Sequence, residues 1–453
     1  MDEARLFFEQ SRAGCAIKTR WTSGSGGTIF KDMTISDPIR PATAAQSTDS
    51  ADLTTEVVIV GGGLAGLTLA AALATAGVPV VCLDRDTPPT QMETDFDGRT
   101  TALAFCSKQV LDGAGVWRHM ADDAEPILDI RVVDQESPLF LHYAHQDVGI
   151  GPFGWIADNI VIRRALFARV AELPGLRHIA PAAVTRIERD ARAAKVVLAD
   201  GRTVTAKLVI GADGKNSLCR RSAGIGVTTW NYDQSAMICN IAHDLPHGGV
   251  AVEKFLPGGP FAILPLTGNR SSIVWSERKS LVPTFMGLSN EAFTAELQRR
   301  VGTWLGPVRV VTRRSAWPLS VLHAERYVAQ RLALVGEAAH AMHPIAGQGL
   351  NMGLRDVAAL AEVIVDTHRL GLDVGGAEPL ARYQRWRRFD NLTLITVTDL
   401  LTRLFSNDFG PLKLARDVGM AAVNRMPPLK KFFMRHAMGM VGELPRMIRG
   451  EPL

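Results

Sequence analysis

Apolar residues along the chain fall into short continuous runs and longer periodic stretches. The runs at 57–60, 78–83 and 332–335 lack polar alternation and predict strands buried on both faces of a sheet. Residues 185–198 and 203–210 predict two strands joined by a hairpin turn at Asp200-Gly201. Alternation at 130–133 and 139–143 predicts strands around Ser137-Pro138, and 261–265 with 271–275 predicts a hairpin around Thr267-Gly268-Asn269-Arg270. Helical stretches follow at 64–76, from Gly98 past Leu111, at 159–176 with Ile160, Ala165, Leu166 and Val170 inward, at 350–367 and at 379–405. A last one begins at Pro427-Pro428. It places Leu429, Phe432, Phe433, Ala437, Met440, Val441 and Leu444 on one face and Lys430, Lys431 and Arg435 on the other, with Gly439 and Gly442 weakening it.

Residues 57–84 organise the rest. After the first apolar run, Gly61, Gly63 and Gly66 stand at the G-x-G-x-x-G spacing. The first glycine permits a tight turn, the second lets backbone approach a pyrophosphate, and the third lets the next helix pack closely. That helix would aim N–H groups and its positive dipole end at a diphosphate. The second strand closes on Asp84, about twenty residues on, where a carboxylate suits the hydroxyls of an adenosine ribose. Residues 57–83 carry no charge and are long enough to cross a bilayer, but three consecutive glycines, Pro79 and the terminal acid argue against a span.

Composition narrows the class. With 453 residues, 47% hydrophobic and 21% charged, the chain is globular and can bury a large core; length alone suggests about three domains. Net charge +4, without a dense Lys/Arg tract, gives no case for nucleic acid but is compatible with an anionic membrane surface. Cys15, Cys82, Cys106, Cys219 and Cys239 form no CxxC pair and read as reduced thiols of a cytoplasmic protein. Residues 1–52, rich in Ser, Thr and Gly, are expected to be disordered and carry no secretion or transit signal, with Met33 as an alternative translation start.

Two further turns carry chemistry. Gly211-Ala212-Asp213-Gly214, before Ser217, Arg220 and Arg221, ends an apolar strand where α/β sheets place ligand groups; Asp213 reads equally as a simple turn residue. The run at 332–335 leads into Gly336-Glu337-Ala338-Ala339-His340 and then Met342-His343-Pro344-Ile345-Ala346-Gly347-Gln348-Gly349-Leu350-Asn351 before a helix. The helix N-terminus there can stabilise negative charge on a reduced ring. No third ligand joins His340 and His343, so no metal is expected. Arg99, read at a helix start, can pair with a diphosphate or with carbonyls. Phe255, Phe261 and Trp275 form either a substrate wall or a core facing a helix layer.

Together the glycine turn with Asp84, the Gly211–Gly214 turn and the 336–351 segment resemble the group A flavoprotein monooxygenases, with a fold similar to para-hydroxybenzoate hydroxylase; HPIAGQGLNMGLRDVAAL at 343–360 resembles the hydroxylases of ubiquinone biosynthesis. The resemblance covers residue 56 to the C-terminus. It implies an α/β fold, a Rossmann-like FAD-binding domain interleaved with an antiparallel β-sheet substrate domain, plus C-terminal helices. The expected order is a disordered extension at 1–52, FAD-binding parts at 53–128, 155–228 and 321–370, substrate-domain parts at 129–154 and 229–320, and a helical region at 371–453.

By the same resemblance, Gly61, Gly63, Leu64, Ala65 and Gly66 hold the FAD diphosphate, Asp84 with Arg85 beside it serves the adenosine ribose, and Arg99 contacts the flavin nucleotide. Asp213 supports cofactor contacts and Glu337 binds the ribitol. Pro344, Gly347, Gln348, Gly349, Leu350 and Asn351 lie beside the isoalloxazine ring, with His343 the one loop residue placed to handle a proton. The family usually has Asp at 337 and often Glu at 84. The implied reaction is hydroxylation of a polyprenyl phenol by reduced FAD and O2 through a flavin hydroperoxide, with NAD(P)H or another donor binding transiently. A dehydrogenase or reductase of the same fold, or a non-catalytic flavin subunit of a quinone-synthesis complex, are the alternatives. The basic amphipathic tail fits a membrane surface or a complex partner, and equally a C-terminal helix docked on the fold or a homodimer contact.

Overall fold

The computed structural model describes residues 52–93, 98–134, 140–147, 149, 151–342, 347–405 and 426–453, without side chains at 401–405, 427, 429 and 432. Five parallel strands form the spine of the first, eight-stranded sheet in the order Leu332–Leu334, Thr203–Gly211, Leu53–Val60, Val80–Leu83, Leu176–Ile179, with Val328–Ala329 antiparallel to Leu332–Leu334 and Ala194–Leu198, followed by Val184–Arg189, antiparallel beside Thr203–Gly211. Val57, Val58 and Ile59 are fully buried, as a strand in a parallel sheet covered on both faces must be. The helices Leu64–Thr75 and Gln348–Arg369 pack on one another and contribute Leu67, Leu73, Val357, Leu360 and Ile364 to the main core. Burying each such side chain is worth about 1.5–3 kcal/mol.

The second sheet is mixed and nine-stranded, running from His340–Ala341 through Ser315–Ala324, Val227–His243, Arg270–Arg278, Gly259–Leu266 and Val250–Leu256 to Asp129–Asp134 and Phe140–Ala144. All its pairings are antiparallel except Val250–Leu256 against Asp129–Asp134. Strand periodicity gives it two faces. Met237, Phe261, Ile263, Ile273 and Trp275 pack on Phe293 and Leu297 of the helix Asn290–Val301. The alternate residues Ile238, Ala262, Leu264 and Val274 turn the other way, into a cavity. The aromatic cluster therefore divides: Phe261 and Trp275 are core, and Phe255 is cavity wall.

Four local expectations need correction. The segment opening at Gly98 is a strand at Thr100–Ala104, paired antiparallel with Gly154–Asp158, and the helix begins only at Phe105–Gly113; β-branched Thr100 and Thr101 fit the ladder. The helix from Asn159 ends at Ala171, and Leu176–Ile179 is the sheet's fifth parallel strand. Residues 185–198 are two strands, Val184–Arg189 and Ala194–Leu198, because Asp190 Oδ1 accepts from Arg192 N at 2.6 Å and Ala193 N at 2.8 Å and closes a turn. The tail helix is Pro427–Ala437, ended by Gly439 at φ +73°. Its buried face is Met434 and Met438, packed with Ile127, Phe153 and Leu266. The 1–51 segment, Cys15, His343 and Pro344 lie outside the described residues.

Candidate active site

The glycine turn is tight for a reason visible in its neighbours. A Cβ on Gly61, which holds φ +107°, would stand 2.4 Å from Ala212 O, and one on Gly66 would stand 1.9 Å from Gly61 O. Gly63 differs. A Cβ there would meet nothing within 4 Å, and the helix it opens has no side-chain cap, so its first N–H groups face open space. That geometry fits a diphosphate at the helix end.

The space is a cavity of about 1030 Å³, at the upper end of ligand sites, between the glycine turn and the second sheet. Gly63, Leu64, Ala65, Arg99, Glu337 and Gly347 to Asn351 all line it. Lys215 and Arg163, which motif reading did not single out, add two cations to that of Arg99, whose guanidinium carbon lies 5.0 Å from the Trp317 ring centre. Gly347, at φ +62°, leads into Gln348–Arg369, again without a side-chain cap. Two uncapped helix ends and three cations against one lining carboxylate, Glu337, on that side suit an anionic dinucleotide. The residues present thus fit FAD.

Other expected site residues stand outside the cavity lining. Asp84 accepts from Gly62 N at 2.6 Å and Asp86 N at 2.9 Å, which fixes its carboxylate beside the turn. Close by, buried His178 Nε2 has no hydrogen-bond partner among the described residues and would stand 3.1 Å from a Cβ on Gly62. Burial draws the His178 imidazole down, against the opposing Asp84 charge. Arg85 is 81% exposed and pairs with Asp86 at 3.1 Å. Asp213 accepts from Ser217 Oγ at 2.5 Å and Cys219 N at 3.0 Å, so it shapes a turn that presents Gly214 and Lys215 to the cavity.

Asn351 reaches the cavity but has its amide engaged by the protein. Its Oδ1 accepts from Ala104 N at 2.9 Å and Ser107 Oγ at 2.7 Å, and its Nδ2 donates to Ala102 O at 2.9 Å and Gly347 O at 3.0 Å. It locks the helix start to the strand behind Arg99. Asp356, five residues on, was given no role by sequence. It accepts from Gly336 N at 3.2 Å, Arg387 Nε at 2.9 Å and Asn391 Nδ2 at 2.9 Å, and pairs with His340 Nε2 at 2.5 Å. Burial pushes its carboxyl up, but His340 and Arg387 more than offset that and hold it at about 2. This buried knot ties the Gly336–Ala338 turn, which carries Glu337, to Gln348–Arg369. Among the described residues no cluster of His, Cys, Asp and Glu is arranged to hold a metal ion.

Comparison with known proteins agrees with this geometry. Residues 54–387 match the FAD binding domain family. The chain is 50% identical over 428 residues to ubiquinone hydroxylase UbiL of Rhodospirillum rubrum, covering 94% of this chain and 99% of that one. It is 34% identical over 388 residues to the 3-demethoxyubiquinol 3-hydroxylase of Escherichia coli, covering 85% and 99%. In fold it is similar to p-nitrophenol 4-monooxygenase PnpA from Pseudomonas putida, with a TM-score of 0.71 at 19% identity over 85% of this chain and 98% of that one. The chain belongs to the FAD-dependent monooxygenases, in the family of ubiquinone-biosynthesis hydroxylases.

Proposed function

We propose that this chain hydroxylates the aromatic ring of a polyprenylated phenol in ubiquinone biosynthesis, with FAD resident, O2 as co-substrate and NAD(P)H or another donor as transient reductant. One observation carries the reading: a single cavity has a cationic, amide-rich side built on the glycine turn and an apolar side built on the second sheet. Bound FAD supplies the activation of O2; the protein supplies orientation, charge and exclusion of water.

In this reading the backbone at Gly63, Leu64 and Ala65 binds the diphosphate, Arg99 and Lys215 neutralise it, and Asp84 with His178 holds the adenosine. Glu337 takes the ribitol hydroxyls. The uncapped amides opening Gln348–Arg369 would hold the ring system and supply positive field for negative charge on it. Ile130, Leu141, Ile238, Leu264 and Val274 hold the substrate ring and keep water from it. The tail helix closes part of the wall with Phe433 and Ala437; Lys430 pairs with Asp147 at 2.9 Å, and the exposed Lys431 and Arg435 suit an anionic membrane surface from which a prenyl chain could enter. No described helix is long and apolar enough to cross a membrane.

The test is turnover of a prenylphenol by purified FAD-loaded protein under labelled O2. One labelled oxygen in the product supports the hydroxylase. Turnover without label favours the dehydrogenase or reductase, and no turnover with any donor favours a non-catalytic subunit.

A further inference from the structure

The apolar side of the cavity contains one acid. Glu253 lies on the strand Val250–Leu256 between Ala251 and Phe255, on the face opposite Val252, which packs in the helix-covered core. Its paired neighbours are Val132 and Ala262. Among the described residues it is the only acidic side chain the sheet contributes to the cavity, and no hydrogen bond or ion pair of its carboxylate is present. A half-buried carboxylate that faces a cavity wall of Val, Ala and Phe without a partner is desolvated at a cost. Nothing in the packing compensates it, so the site itself is the place to look for its use.

We infer that Glu253 is the general base that takes the phenolic proton of the substrate ring, an inference that rests on the phenol reading above. A phenol is a weak nucleophile at carbon and its anion a strong one. Glu253 accepts the proton as the O–H bond breaks, and the electron pair stays on the ring oxygen and enriches the ortho and para carbons. One of these takes the hydroxyl group, oxygen with its proton, that the FAD and O2 reaction supplies. The ring, now a dienone, loses its C–H proton to solvent, and the carbonyl oxygen regains a proton from the Glu253 carboxylic acid. Carboxylate and aromatic ring are both restored, and the electrons are those of the established reaction.

The surroundings favour this role. Burial pushes the Glu253 carboxyl up to about 7, which matches a base working near neutrality. The groups around it are apolar on both adjoining strands, with Ile130 and Val132 on one side and Pro260, Ala262 and Leu264 on the other. Asp134 follows Val132 on the same face of its strand, paired with Phe255. Tyr143, on the next strand, shares the wall, and burial lifts its phenol to about 12, so it stays protonated and does not serve as the base. Arg99, Arg163, Lys215 and Glu337 line the FAD side.

Glu253→Gln keeps the shape and removes the base. In the FAD-loaded protein, kcat for a short-chain prenylphenol should fall about 10²- to 10³-fold with little change in KM, and the rise of kcat/KM with pH through about 7 should vanish. The loss should shrink to roughly threefold or less for the analogue with an amino group in place of the hydroxyl, which needs no deprotonation. The thermal midpoint should hold or rise, since an unpaired, half-buried carboxylate is gone. A prenylated 4-nitrophenol, itself partly ionised near neutral pH, should bind both proteins, and difference spectra should show its phenolate fraction rising on binding to the wild type and falling on binding to the variant. Equal phenolate bands and equal kcat in the two would overturn the assignment while leaving the hydroxylase reading intact. A wild type that neither binds nor oxidises the prenylphenol overturns both.

Discussion

Ser107 Oγ donates to Asn351 Oδ1 at 2.7 Å across 244 residues of sequence. With the bonds to Ala104 N and Ala102 O it joins the start of the helix Gln348–Arg369 to the strand Thr100–Ala104 and the helix that follows it, while the fourth bond, to Gly347 O, closes the helix start on itself. Asn351→Asp sets two carboxylate oxygens where one atom must donate to the carbonyls of Ala102 and Gly347. It should cost about 3 kcal/mol in urea unfolding, against about 2 kcal/mol for Asn351→Ala, which leaves the same groups unpaired without the repulsion. Both variants should also retain less FAD through a desalting column.

Gly63 and Gly66 separate binding from folding. Gly66→Ala forces a methyl onto Gly61 O and should yield insoluble or colourless protein. Gly63→Ala meets no protein atom, so the apoprotein should unfold within about 1 kcal/mol of wild type. Its FAD dissociation constant should nevertheless rise at least tenfold, measured by flavin fluorescence. An unchanged constant would place the diphosphate elsewhere.

Arg85 and Arg99 make a second contrasting pair. Arg85 is exposed and already paired with Asp86, so Arg85→Ala should leave FAD affinity within about twofold. Arg99→Ala removes a cavity cation and its contact with Trp317 and should weaken FAD by about 10-fold or more, less so in high salt.

Asp356 links the site to acid stability. Its folded value of about 2 lies below the unfolded value near 4, so its stabilisation is present above about pH 4 and is lost as pH falls toward 2. The loss over that window should be about 2 kcal/mol in denaturant titrations. In Asp356→Asn that part of the acid limb should flatten. The variant should also be about 3 kcal/mol less stable at neutral pH, because buried Arg387 keeps only Asp390 and His340 loses its carboxylate partner.

What the sequence disclosed and what it hid have the same physical origin. The glycine turn, the Gly211–Gly214 turn and the 336–351 segment are local: turn chemistry and helix starts set them within a few residues, and so they read directly. Asp356 was silent because its partners His340, Arg387 and Asn391 come from separate segments. Thr100–Ala104 was misread because its ladder partner, Gly154–Asp158, lies some fifty residues away and outweighs the helical look of the Ala and Leu positions. Glu253 sat in a strand pattern as one polar residue among apolar ones, the normal signature of a wet face. Only the sheet's order reveals that this face looks into an apolar chamber.

The second sheet separates two jobs by parity. Along Gly259–Leu266, Phe261 and Ile263 hold the sheet to its helix, while Pro260, Ala262 and Leu264 shape the chamber. Because no side chain of this strand serves both faces, the chamber can be remodelled there one alternate position at a time while the packing beneath stays put. Descendants of such a chain can explore new ring substituents and tail lengths by single mutations that the scaffold tolerates.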